Sequence, residues 1–148
     1  MKIADIRTLL PLIEAEMPDI NYQQLVVDQS QLTEFLQKRN KDDNNMLFFI
    51  IPEHTHRGTD DAILTITNAQ ILIMARYAEK DSHEDFLNIM QATEETAFKV
   101  RDWMLQHKED NPCGVLRRLV DSSFQILPVW EFVSCHGWSI NFNVEYDH

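Results

Sequence analysis

The sequence predicts an α+β fold: a mainly antiparallel sheet with one long central helix packed on it, plus an N-terminal helix and a short helix. Three observations carry that expectation. Within residues 82–107, Phe86, Met90, Thr93, Ala97, Val100 and Met104 recur at alternating steps of four and three, which is one stripe of an α-helix. Near the end of the chain, Trp138, Ile140, Phe142, Val144 and Tyr146 alternate with Ser139, Asn141, Asn143 and Glu145, the period of a strand with one dry and one wet face. The apolar run 46–51 is followed by a β-rich segment at 62–77, so strands come as hairpins rather than in strict alternation with helices.

Taken in order, Ile3, Ile6, Leu9, Leu10 and Ile13 predict an amphipathic helix over 2–16, interrupted by Pro11 and stopped by Met17, Pro18 and Asp19. Leu25, Val26 and Val27 mark a short strand at 22–27. A second short helix follows at about 30–39, capped by Asp28 or Ser30 and buried through Leu32, Phe35 and Leu36. Residues 40–45 are a polar loop. Residues 46–51 read as a strand buried on both faces, 53–61 as a polar turn containing Gly58, and 62–77 as a long strand that pairs with 46–51 and overhangs it. A helix over 69–80 is the alternative there, set aside because 63–67 is β-rich and 71–73 alternates.

Ser82 and Asp85 supply a capping box for the long helix, and Pro112 and Gly114 end it. Leu87, Phe98, Trp103 and Leu105 widen its apolar stripe. Residues 114–120 suggest one more helical turn, 124–128 a strand or extended link and 129–135 a strand, with His136 and Gly137 making the turn into the last strand.

The whole chain, 1–148, reads as one domain, long enough to bury roughly 70% of its unfolded surface. Its net charge is −11. A surface this acidic repels phosphate backbones and anionic membranes, so nucleic-acid gripping, sequence-specific or otherwise, and membrane binding are not expected. Cys113 and Cys135 make no disulfide framework, the first residues lack the apolar core of a signal peptide, and no apolar stretch reaches bilayer length. A reducing, intracellular origin is the default expectation.

Chemistry-bearing residues are few. His54 and His56 lie on one side of an extended segment, as a metal pair requires, and Asp60 and Asp61 could complete the shell; a solvated loop is the blander reading. Cys135 beside His136 could pair a thiolate with an imidazole, although neighbouring strand residues point to opposite faces. Glu94 and Glu95 diverge on their helix, and Ser122 and Ser123 lack the glycine-flanked elbow of a hydrolase. Arg117 and Arg118, with Lys108 nearby, form the one basic cluster, suited to an acidic neighbouring subunit or to the carbonyls at a helix end. No catalytic residue, cofactor site or metal site is assigned from these, and no catalysis is expected.

The layout of a helix, the hairpin of 46–51 and 62–77, one central helix opening at Asp81, Ser82, His83, Glu84, Asp85 and Phe86, and a closing hairpin ending in Gly137, Trp138, Ser139, Ile140, Asn141, Phe142, Asn143, Val144, Glu145 and Tyr146 resembles the tail-terminator and neck-ring proteins of tailed bacteriophages and prophages. The resemblance spans about residues 3–146. It implies a virion structural protein whose protomers form a ring, often hexameric, at the head–tail junction, in contact with other tail or neck proteins. It implies residence in the virion, or in the bacterial cytoplasm during assembly. The extra segment 22–39 departs from the simplest layout of that family. A monomeric acidic interaction module, of inhibitor or immunity type, is the second reading, and an enzyme using His54, His56 or Cys135 the third.

Overall fold

A computed structural model describes residues 1–59 and 62–147. Helix α1 (Ile3–Glu16) leads to strand β1 (Tyr22–Val26), helix α2 (Gln29–Gln37), strands β2 (Met46–Thr59) and β3 (Ala62–Arg76), the long helix α3 (His83–Asp110), and strands β4 (Gln125–Phe132) and β5 (Cys135–Asp147). The strands make one sheet in the order β1-β2-β3-β5-β4. Strand β1 runs parallel to β2 through the α2 crossover, and every other pairing is antiparallel. The α+β expectation therefore holds.

Three layers result. On one face, Ile6, Leu9, Leu10 and Ile13 of α1 and Ala97, Val100 and Met104 of α3 pack with Leu47, Phe49, Ile71, Ile73, Ile140, Phe142 and Val144 of the sheet. On the other face, Leu32 and Leu36 of α2 cover Met46, Phe48, Leu72, Met74 and Cys135. Helix α3 opens on the predicted capping box: Ser82 Oγ accepts from the Asp85 amide at 3.2 Å, and the Asp85 carboxylate accepts from the Ser82 amide at 2.9 Å. Its stripe buries Thr93, Ala97, Val100 and Met104, and the Trp138 indole donates to the Met90 carbonyl at 2.9 Å, so the helix lies across the inner face of the last hairpin. Leu87 and Phe98, expected to widen the stripe, are instead exposed. Helix α1 runs through Pro11, which lies on its solvent side, so the expected interruption is absent from the helix bounds.

Four boundaries differ from the sequence reading. Residues 53–59, expected to be part of a polar turn, continue β2 opposite β3 as far as Thr59↔Ala62. The apolar pattern stops at Pro52 because β2 leaves the helices behind, not because the strand ends; Asp60 and Asp61 lie outside the described residues. The expected overhang of 62–77 is likewise gone: β3 is central, flanked by β2 and by β5 from Leu64 to Arg76. Residues 114–120 form turns rather than a helix, with Leu119 bridged to Val144. The β4–β5 turn falls at Val133 and Ser134, not at His136 and Gly137. Both turn residues have positive φ, 49° and 57°, as a two-residue type I′ turn requires, but they carry none of the Asn or Gly that usually announces one. Gly137 is instead pinned inside the sheet, where an added Cβ would fall 1.8 Å from the Ile73 carbonyl oxygen.

Two bulges shape the sheet. Between Ile50 and Glu53, β2 carries one residue more than β3, and between Val129 and Phe132, β4 carries one more than β5. Each insertion shifts the alternation of side chains by one position.

Candidate functional site

The first bulge decides what the far half of the β2–β3 hairpin presents. Strand β1 flanks β2 only over residues 46–50, so among the described residues 53–59 form an unpartnered sheet edge. After the bulge, His54 and His56 point to the face of α1 and α3, opposite Thr67 and Thr65. The spacing argument that put both imidazoles on one side is correct. They join Met1, Lys2 and Tyr146 around a cavity of about 380 Å³. His54 Nδ1 lies 2.9 Å from Thr67 Oγ1, and His56 Nδ1 lies 2.9 Å from Thr65 Oγ1. The Met1 amine donates to Thr67 Oγ1 at 2.9 Å, and burial pushes it down to about 6. Burial, and then the nearby amine, also lower the pKa of His54. Among the described residues no three His, Cys, Asp or Glu side chains gather as a metal set. The other half of the suggested shell, Asp60 and Asp61, lies outside them.

Cys135 and His136 part company, as strand geometry requires. Cys135 is fully buried in the α2-side core, and burial pushes its thiol up to about 11, far from a thiolate at neutral pH. His136 faces the opposite way. Its ring stacks on Tyr77, 4.0 Å between centroids at 11°, and meets Phe86 edge-on at 4.8 Å and 89°. The Glu131 amide donates to its Nδ1 at 2.9 Å, which leaves the proton of the neutral ring on Nε2.

That last contact comes from the second bulge. With two residues, Trp130 and Glu131, set against the single His136, both are re-aimed. Glu131 takes φ +54°, and Trp130 stands 59% exposed. Together with Tyr77, Phe86, His136 and the carboxylates of Glu79 and Asp81 they line a pocket of about 390 Å³ at the start of α3. Sequence reasoning missed this pocket. An exposed Trp in an edge strand was the one available signal, and the bulge that aims it cannot be read from residue types.

The remaining candidates are structural. Ser123 Oγ donates to the Val120 carbonyl at 2.6 Å and accepts from the Asn143 amide at 2.8 Å. Glu95 accepts from Gln91, one turn earlier on α3. Lys108 donates to the Leu119 carbonyl at 2.8 Å and pairs with Asp121 at 2.6 Å, fastening the segment after α3. Arg117 and Arg118 sit in those turns, not at a helix end as one reading of them expected, and both are exposed. Among the described residues no helix is long and apolar enough to cross a membrane.

No family model matches this chain, and a search of curated proteins finds no match. Any functional reading therefore rests on the geometry and on the likeness of layout described above.

Proposed function

We propose that the protein is a non-enzymatic phage or prophage structural protein of the tail-terminator type, whose copies assemble into a ring at the head–tail junction. The observation that carries this reading is the edge at residues 53–59. It lies on a hairpin that extends past β1, and its outward amides and carbonyls are a template for a strand from a neighbouring copy. The element order and the central α3 support it. The −11 charge suits a lumen through which DNA passes without being held.

Native mass spectrometry across protein concentration, together with co-fractionation with tail particles, tests the reading. A discrete ring-sized oligomer is expected. It should dissociate in a Thr55→Lys/Thr59→Lys variant, since lysines on an edge oppose strand addition, while the melting temperature stays the same. A strict monomer at high concentration that never joins tail proteins would overturn the proposal.

A monomeric acidic interaction module is the second reading, favoured by the carboxylate-lined aromatic pocket. Capture of one basic partner by a chain that stays monomeric would support it.

A further inference from the structure

We infer that the pocket at the β4 bulge is a receptor for an arginine side chain presented by a partner protein. It is lined by the aromatic residues Trp130, Tyr77, Phe86 and His136 and by the acidic residues Glu79, Asp81 and Glu131. A guanidinium is the cation that both halves of this lining favour: it stacks flat on an aromatic face and offers N–H groups to carboxylates at its edge. Among the described residues nothing fills the space, although Trp130 is held out beside it by a bulge that puts Glu131 at positive φ.

The opposing charges are smaller. Lys41 pairs with Asp81 at 3.6 Å, and Lys80 stands between Glu79 and Asp81 in the chain, against the three acidic lining residues Glu79, Asp81 and Glu131. The start of α3 contributes about half a positive charge, and Glu84 and Asp85 in its first turn offset it. His83 stacks loosely on Phe86, 5.9 Å between centroids. His136 is held toward its neutral form, chiefly by burial, and so adds no repulsion. The surroundings of the pocket are therefore net negative, and the acidity of the chain as a whole steers basic partners toward it. This site does not depend on ring assembly.

The test is an NMR titration of the full chain with the peptide acetyl-Gly-Arg-Gly-amide and with its citrulline counterpart, which keeps the shape and loses the charge. The arginine peptide is expected to shift the Trp130 indole and the His136 ring signals saturably, at least fivefold more tightly than the citrulline peptide. Glu131→Gln should weaken it about threefold. Trp130→Ala should abolish it, with the half-buried Trp138 indole signal, held by its hydrogen bond to the Met90 carbonyl, unchanged as the check on folding. Indole shifts that appear on concentrating the protein alone and vanish in Arg117→Gln would assign the arginine to a second copy, again supporting the site. Equal response to both peptides, no saturable shift, or a response that survives Trp130→Ala would overturn it. A chain that binds the peptide yet stays monomeric would leave the pocket standing and remove the ring.

Discussion

The two faces of the sheet differ more than their shared strands suggest. One is covered by α1 and by the length of α3, and its cluster runs from Met1 to Val144. The other is covered only by the short α2, which shelters Met46, Phe48, Leu72 and Met74; beyond it the same face becomes a carpet of Asn68, Gln70, Ser139, Asn141 and Asn143. Gln70 and Asn141 both donate to Ser139 Oγ, at 2.9 and 3.0 Å, so this stretch satisfies itself by hydrogen bonds rather than by a covering layer. Where the covering layer is thick, the sheet is a core. Where it is thin, the sheet is a surface that stays polar.

Adjacent phenylalanines put that difference to the sharpest test. Phe49 and Phe48 are both fully buried and point to opposite faces; Phe49 meets Phe142 edge-on at 6.2 Å, and Phe48 lies against Tyr22 at 5.8 Å. Phe49→Ala should cost about 4 kcal/mol, because two helices and a sheet cannot collapse into the gap. Phe48→Ala should cost about 2–3 kcal/mol, because a short helix can settle toward it. Urea unfolding of both variants measures this, and equal losses would mean that the layers are equally rigid.

A second test uses pH and bears on the thicker face alone. The Met1 amine, pushed down from its ordinary 8.0 to about 6, and His54, also lowered, are bases that the folded chain prefers neutral. In the window between about pH 6 and 8 the unfolded chain therefore holds more protons, and stability rises with pH there. His54 adds to the slope below its ordinary 6.5. With both groups partly open to solvent, the rise should be about 1–2 kcal/mol. Denaturant midpoints at pH 6 and pH 8 read it out; a flat or falling profile would show that the amine is not buried against Thr67.

The smallest effect belongs to the thinner face. Asp28 caps α2 by accepting from the Gln31 amide at 2.9 Å. Asp28→Ala should cost about 1 kcal/mol. Faster hydrogen exchange should be confined to α2 and β1, with α3 unchanged. Exchange rising equally in α3 would make the two layers one cooperative unit.

How much of this was legible in the sequence follows from the same contrast. The thick face wrote itself into the chain: the α3 stripe, the Ser82–Asp85 cap and the alternation of 138–146 each repeat a period that burial imposes. Where that imposition ends, the reading failed. Residues 53–59 are polar and paired at once, so they resembled a turn. Val133 and Ser134 make a type I′ turn without its usual residues, which drew the turn to His136 and Gly137 instead. Of the candidate sites, the shared side of His54 and His56 and the divergence of Cys135 from His136 came directly from strand geometry. The pocket at Trp130 did not, because one inserted residue in β4 leaves no compositional trace.

The sheet order has a kinetic consequence. Strand β5 is made after everything else in the sheet, yet it slots between β3 and β4, joining Leu64 to Asp147 across most of the chain. Contacts so distant in sequence form slowly. Until they do, the long apolar flank of β3, with Ile71 and Ile73, has no neighbour on that side. A nascent chain stalled before residue 135 would carry an open, greasy strand margin, and it is there that chaperone capture or misassociation would begin.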